Sequence, residues 1–160
     1  MKSIAFLLLF FSWQPHQEIL YGVVSEVMDG NTIELFTDEH ERYKIELFGV
    51  DCPEEGQPFG PEAKALLSKK LKGKSVQAVV ECKNRWGIRQ ATIIREGDDD
   101  ARVLLLSQGL AWVSEKNAPV DFITLSEKAK TNRIGLWNEA NPVPPWTYRR
   151  QQTMLVPKSR

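Results

Sequence analysis

The sequence predicts an α+β domain, a five-stranded OB-type β-barrel with about three helices. Three observations predict it. Three alternating apolar segments, at about 19–28, 32–36 and 42–49, follow one another through short polar turns, which is the pattern of a β-meander. One helical pattern interrupts the strands at about 61–72 before two more strands follow, at about 75–82 and 88–95. Further helical patterns close the chain at about 101–108 and 120–133. Five strands with one helix after the third and more at the end match an OB-type barrel with helices, a fold that often binds oligonucleotides but does not by itself define a function.

Each element has a local reason. In the first strand Leu20, Val23, Val24 and Val27 stand among β-formers, and Asp29-Gly30-Asn31 is a turn signal. In the second, Ile33 and Leu35 share a face. In the third, Tyr43, Ile45 and Leu47 face one way, and Lys44, Glu46 and Phe48 the other. The first helix has Pro61 at its start, Glu62 near its positive end, Gly73 as its stop, and Ala63, Leu66, Leu67 and Leu71 as its apolar stripe. Asn84-Arg85-Trp86-Gly87 is the turn between the last two strands. Asp98-Asp99-Asp100 reads as a solvated turn whose last Asp caps the short helix ended by Gly109. Leu110 to Val113 is a short extended piece, and Phe122, Leu125 and Ala129 form the core face of the last predicted helix. Asn141 to Trp146 reads as a polyproline-like tail, with Arg149 to Gln152 and the remainder loosely ordered.

Composition narrows the function. The chain has 160 residues, is 42% hydrophobic and has a formal net charge of zero, which fits one domain with a real core. A strongly basic nucleic-acid binder is excluded, so any such binding must rest on a local patch. Residues 1–18 read as a signal segment. Lys2 is followed by the apolar run Ile4 to Phe11, too short to span a bilayer. The expectation is export, no stable membrane span once the leader is removed, and a monomer of residues 19–140 with a Pro/Trp/basic tail at 141–160. Cys52 and Cys82 are an even count that permits a disulfide or stands as a free pair. His16 and His40 lie far in sequence from any Cys or acid cluster, which argues against a zinc site.

The stretch Lys44 to Gly60 runs from a strand to the start of a helix. Asp51 and Glu54 stand three residues apart, with Pro53 stiffening the chain between them. Such carboxylates suit a hard cation such as Ca²⁺, or are simply polar residues of a turn.

Several motifs then fall in one order: Val27 to Thr32, Gly49 to Glu54, Gly56 to Ala63, Arg85-Trp86-Gly87, Gly109-Leu110-Ala111, Gly135-Leu136-Trp137 and the tail Pro142 to Trp146. Together they resemble the thermonuclease (staphylococcal nuclease-like) family of exported bacterial type, over roughly residues 19–150. The resemblance implies a Ca²⁺-dependent phosphodiesterase acting on single-stranded DNA and RNA. Two Asp and a backbone carbonyl would hold calcium, a Glu would activate water, and two Arg would grip the phosphate.

Residue by residue, the resemblance carries over unevenly. Asp51 matches one calcium Asp, Cys52 offers its carbonyl, and Glu54 matches the water-activating Glu. The other calcium Asp falls at Asn31, which brings no charge, so Ca²⁺ is expected to bind weakly if it binds. The two Arg positions fall at Glu46 and Ile88. Loss of one preorganised donor costs roughly 10²–10³ in rate. A carboxylate about 4 Å from a phosphate oxygen opposes it by roughly 4 kcal/mol at an effective dielectric near 20. The resemblance therefore implies a catalytically impaired protein that binds a protein or single-stranded nucleic acid, with Trp86, Arg85, Lys44 and Arg89 as candidate nucleic-acid contacts. The alternative is an active nuclease in which Lys44 or Arg89 supplies a relocated cation.

Overall fold

The computed structural model describes residues 17–115 and 118–155. The run Ile4 to Phe11 read as a leader lies outside the described residues.

Five strands close into a barrel: β1 (Ile19–Val27), β2 (Thr32–Thr37), β3 (Arg42–Leu47), β5 (Ser75–Lys83) and β6 (Arg89–Ile94). Their order around the barrel is β1-β2-β3-β6-β5. The predicted meander is β1-β2-β3, with all its pairs antiparallel. Closure is completed by a parallel pairing of β3 with β6, which sets Glu46 beside Gln90. Two short strands, β4 (Val50–Asp51) and β7 (Trp112–Val113), form a separate antiparallel ribbon. Residues 110–113 were expected to be extended, and the ribbon gives that piece its partner.

Alternation places Ile33 and Leu35 of β2 and Ile45 and Leu47 of β3 in the barrel interior, each essentially inaccessible. In β1 a bulge between Val24 and Glu26 resets the phase. Val24 and Val27, an odd number of residues apart, therefore both point inward. Helix α1 (Gly60–Leu71) lays Ala63, Leu67 and Leu71 on this core, and α2 (Ala101–Ser107) adds Leu105 and Leu106. Asp100 caps α2, its side chain accepting from the Arg102 backbone N–H, as the sequence predicts. Arg102 is itself buried, held by Asp100, the Phe48 carbonyl and Thr92. Helix α3 (Val120–Thr131) buries Phe122 and Ala129, and Gly135–Asn138 forms a 3₁₀ turn.

The tail corrects the expectation of a loosely ordered segment. Pro145–Leu155 is a fourth α-helix, α4. Pro145 is fully buried at its first position, where its fixed φ suits a helix start. The Trp146 ring meets Trp112 edge-on at 5.7 Å, and Trp112 meets Trp137 at 4.5 Å. This aromatic cluster, invisible to local propensity, is what turns the tail into a docked helix.

Candidate active site

The acid-bearing segment is placed by close backbone approaches. Gly30 lets the β1–β2 turn lie against the Cys52 side chain, where a Cβ would come within 2.6 Å of it. Asn31 is thereby brought to β4, and its Oδ1 accepts a hydrogen bond from the Cys52 N–H at 3.1 Å. Downstream, Gln57 folds the loop on itself. Its N–H donates to the Glu54 carbonyl at 2.8 Å, and its Oε1 accepts from the Glu54 N–H at 3.0 Å. Phe59 takes a left-handed conformation at the start of α1, φ 67°, which costs about 1–2 kcal/mol in a non-glycine residue. Gly60 follows because any Cβ there would overlap the Glu54 carbonyl. α1 thus begins at Gly60, one residue before the predicted start at Pro61.

Asp51 and Glu54 meet a third group here, one that was expected in a loosely ordered tail. The Arg149 guanidinium, carried in by α4, donates to both Asp51 oxygens, at 3.1 and 2.7 Å, and to Glu54 Oε1 at 2.6 Å. Its neighbours on the tail hold the same loop. Gln57 Nε2 donates to the Val143 carbonyl at 2.9 Å, and the Tyr148 hydroxyl lies over Gly56. Burial raises the Asp51 carboxyl above its ordinary value. The Arg149 hydrogen bonds and charge oppose that rise, while the charges of Glu54 and Glu46 add to it. Arg149 is held above its own ordinary value, first by its hydrogen bonds to Asp51. In sequence, Pro145-Trp146 is compatible with a helix start that would set Arg149 on the side of Trp146, but nothing local ties such a helix to Asp51.

The positions that carry guanidinium groups in the resemblance are occupied as the sequence states. Glu46 points out of the barrel, its carboxylate accepting from Asn84 Nδ2 at 3.1 and 3.2 Å and from Gln90 Nε2 at 3.0 Å. Ile88 is half-buried beside this cluster, its backbone pinned by Asn84. Arg89 pairs with Glu18 at 2.5 Å and lies over the Tyr43 ring at 4.4 Å. Lys44 is exposed on the outer face of β3. Among the described residues neither Lys44 nor Arg89 contacts Asp51 or Glu54. Cys52 and Cys82 are both free thiols. Cys52 Sγ donates to the Gly30 carbonyl, and Cys82 Sγ to Gln90.

The Glu18–Arg89 contact gives a pH-dependent prediction. Burial raises the Glu18 carboxyl, but the hydrogen bonds and charges of Arg89 and Lys83 outweigh it and leave it below its ordinary value. A depressed carboxyl stabilises the fold above its unfolded value, near 4.5, and that contribution is lost as pH falls through the lower folded value. With Glu18 about one-third exposed, the pair is worth under about 1 kcal/mol. Glu18→Gln is expected to lower the thermal midpoint by a few degrees at pH 7, with the difference shrinking as pH falls below 4.5.

A cleft of about 540 Å³ opens beside the acid pair, lined by Asp51, Arg149, Trp146, Lys83, Arg85 and Trp86, among others. Trp86 is 69% exposed, and the Arg85 guanidinium stacks 4.0 Å from its ring.

The donors expected for Ca²⁺ do not fit that ion as they are arranged. Both carboxylates face a guanidinium, and the Asn31 amide oxygen is engaged by the Cys52 N–H. Among the described residues no group of three or more His, Cys, Asp or Glu side chains could hold a metal.

A closed five-stranded barrel with helices packed on it defines an OB-type α+β fold. The sequence profile of the Staphylococcal nuclease homologue family matches residues 44–139. An "Uncharacterized endonuclease" of Escherichia coli O157:H7 is 30% identical over 152 residues, covering 94% of this chain and 99% of that protein. "Staphylococcal-like nuclease CAN1" of Arabidopsis thaliana is 32% identical over 115 residues, 70% of this chain and 35% of that one. "Micrococcal nuclease" of Shigella flexneri is 26% identical over 140 residues, 81% and 80% of the two chains. The chain belongs to the staphylococcal nuclease family. Among the described residues no helix is long and apolar enough to cross a membrane.

Proposed function

We propose that this chain is an exported, monomeric family member that binds its partner at the cleft without hydrolysing it, and that the partner is single-stranded nucleic acid. The observation that carries the loss of hydrolysis is Glu46. Its carboxylate is fixed by Asn84 and Gln90 at the position where the family resemblance calls for a phosphate-gripping cation. Phosphoryl transfer depends chiefly on positioning and charge stabilisation, so a fixed negative charge there is central. The exposed Trp86 with Arg85 on its face supports the choice of partner, since bases stack on such rings whatever their sequence.

The test is anisotropy of a labelled oligothymidylate, measured in chelator over a salt series. Binding is expected to weaken as salt rises, by counterion release. Trp86→Ala is expected to weaken it by about 5- to 150-fold, the equivalent of one stacked base. Binding of a protein partner with no affinity for oligonucleotide would replace nucleic acid with protein in this reading.

A second reading, an active Ca²⁺-dependent nuclease, is favoured by the relatives named as an endonuclease and a micrococcal nuclease. Digestion of single-stranded DNA with Ca²⁺ and with chelator separates the two. Chelator-sensitive cleavage that Glu54→Gln abolishes would establish the second.

A further inference from the structure

We propose that Arg149 is the resident cation of the Asp51–Glu54 pair, so that α4 and a divalent cation are mutually exclusive occupants of one site. The acid pair is not read as a site from its acidity. A positive group is already bound there, by three charge-assisted hydrogen bonds to two carboxylates. The guanidinium is a planar fork whose N–H groups match both Asp51 oxygens at once, a fit a lysine ammonium would not give.

Arg149 is not a loose surface residue that happens to reach the acids. Its helix is fixed at two further points, the buried Pro145 and Trp146 packed on Trp112, and the lead into the helix at a third, the Val143 carbonyl held by Gln57. Gln57 also shapes the Glu54 turn, so acid loop and tail are fastened to each other from both sides. A divalent ion reaching both carboxylates must displace the guanidinium. Once Arg149 moves, the two carboxylates are freed as hard oxygen donors of the kind such ions take, while the Asn31 amide oxygen stays with the Cys52 N–H. The C-terminal helix thus acts as an intramolecular competitor for cations. This inference concerns the same acid pair as the proposed function but rests on the α4 geometry alone.

Terbium luminescence and limited trypsinolysis of the full chain test it, with Tb³⁺ as the probe and Ca²⁺ as competitor. Trp112 stands opposite Asp51 in the β4–β7 ribbon and sensitises an ion bound there. Wild type is expected to show weak Tb³⁺ emission. Arg149→Ala is expected to bind Tb³⁺ at least about tenfold more tightly, with Ca²⁺ competing and with the gain abolished by adding Asp51→Asn. In the second arm, Asp51→Asn with Glu54→Gln is expected to speed tryptic cleavage after Arg149 and Arg150 by about tenfold, the factor given by 1.4 kcal/mol of lost docking. Wild-type chain binding Tb³⁺ as tightly as Arg149→Ala, together with unchanged trypsin sensitivity in the double variant, would overturn the inference. Neither readout depends on nucleic-acid binding or cleavage, so a failure here is distinct from a failure of the proposed function.

Discussion

Combining Asn31→Asp, Glu46→Arg and Ile88→Arg with Arg149→Ala is expected to create chelator-sensitive cleavage of single-stranded DNA at least ~10²–10³-fold above the starting chain. Glu46 stands beside Gln90 on the outer face of the β3–β6 pair, Gln90 lines the cleft, and Ile88 lies two residues before Gln90, so groups introduced at 46 and 88 start next to the cleft wall. The change at 46 removes a carboxylate that also raises Asp51, and supplies a cation in its place. Single reversions are expected to do little, because groups that act as a unit are far from additive. The measurement is a fluorescence-quenched oligonucleotide assay with Ca²⁺ and with chelator. No gain in the quadruple variant, with the fold intact by circular dichroism, would show that the loss of charge at 31, 46 and 88 is not what silences the site.

The largest stability loss from one side chain is expected at Leu67. It is fully buried between α1 and the barrel, among Leu35, Leu47 and the other core residues. Leu67→Ala removes three carbons and leaves a cavity that the surrounding strands close only in part. The expected cost is about 2–5 kcal/mol, a large share of the roughly 5–15 kcal/mol a domain commands. Urea unfolding is expected to show a lower midpoint with an unchanged slope. A loss under about 1 kcal/mol would mean that the α1–barrel interface is looser than the burial of Leu67 indicates.

The barrel was legible because its signals are local. Alternation marks β2 and β3, Asp-Gly-Asn marks the first turn, and Pro61 with Gly73 brackets α1 to within a residue. The parallel β3–β6 seam left no such mark, since which strands pair is decided by closure and not by any one segment. At the site, Asp51 and Glu54 were singled out from the sequence because they lie in one short motif, and Glu46 and Ile88 because of their places beside such motifs. Arg149 was not. It lies far along the chain from Asp51, and it enters the site only because Trp146 finds Trp112 and Pro145 finds the interior. A segment rich in Pro and Arg looks extended until that tertiary contact is known, and here packing overrode local preference.

The parallel seam also joins strands that α1 and β5 separate in sequence, so the ring is closed through contacts distant along the chain, a slow kind of search. The last helix is anchored on Asp51 and Trp112, which sit on ribbon strands far apart in sequence. Its amides are expected to exchange with solvent faster than those of the barrel strands, a difference that native-state hydrogen exchange measures.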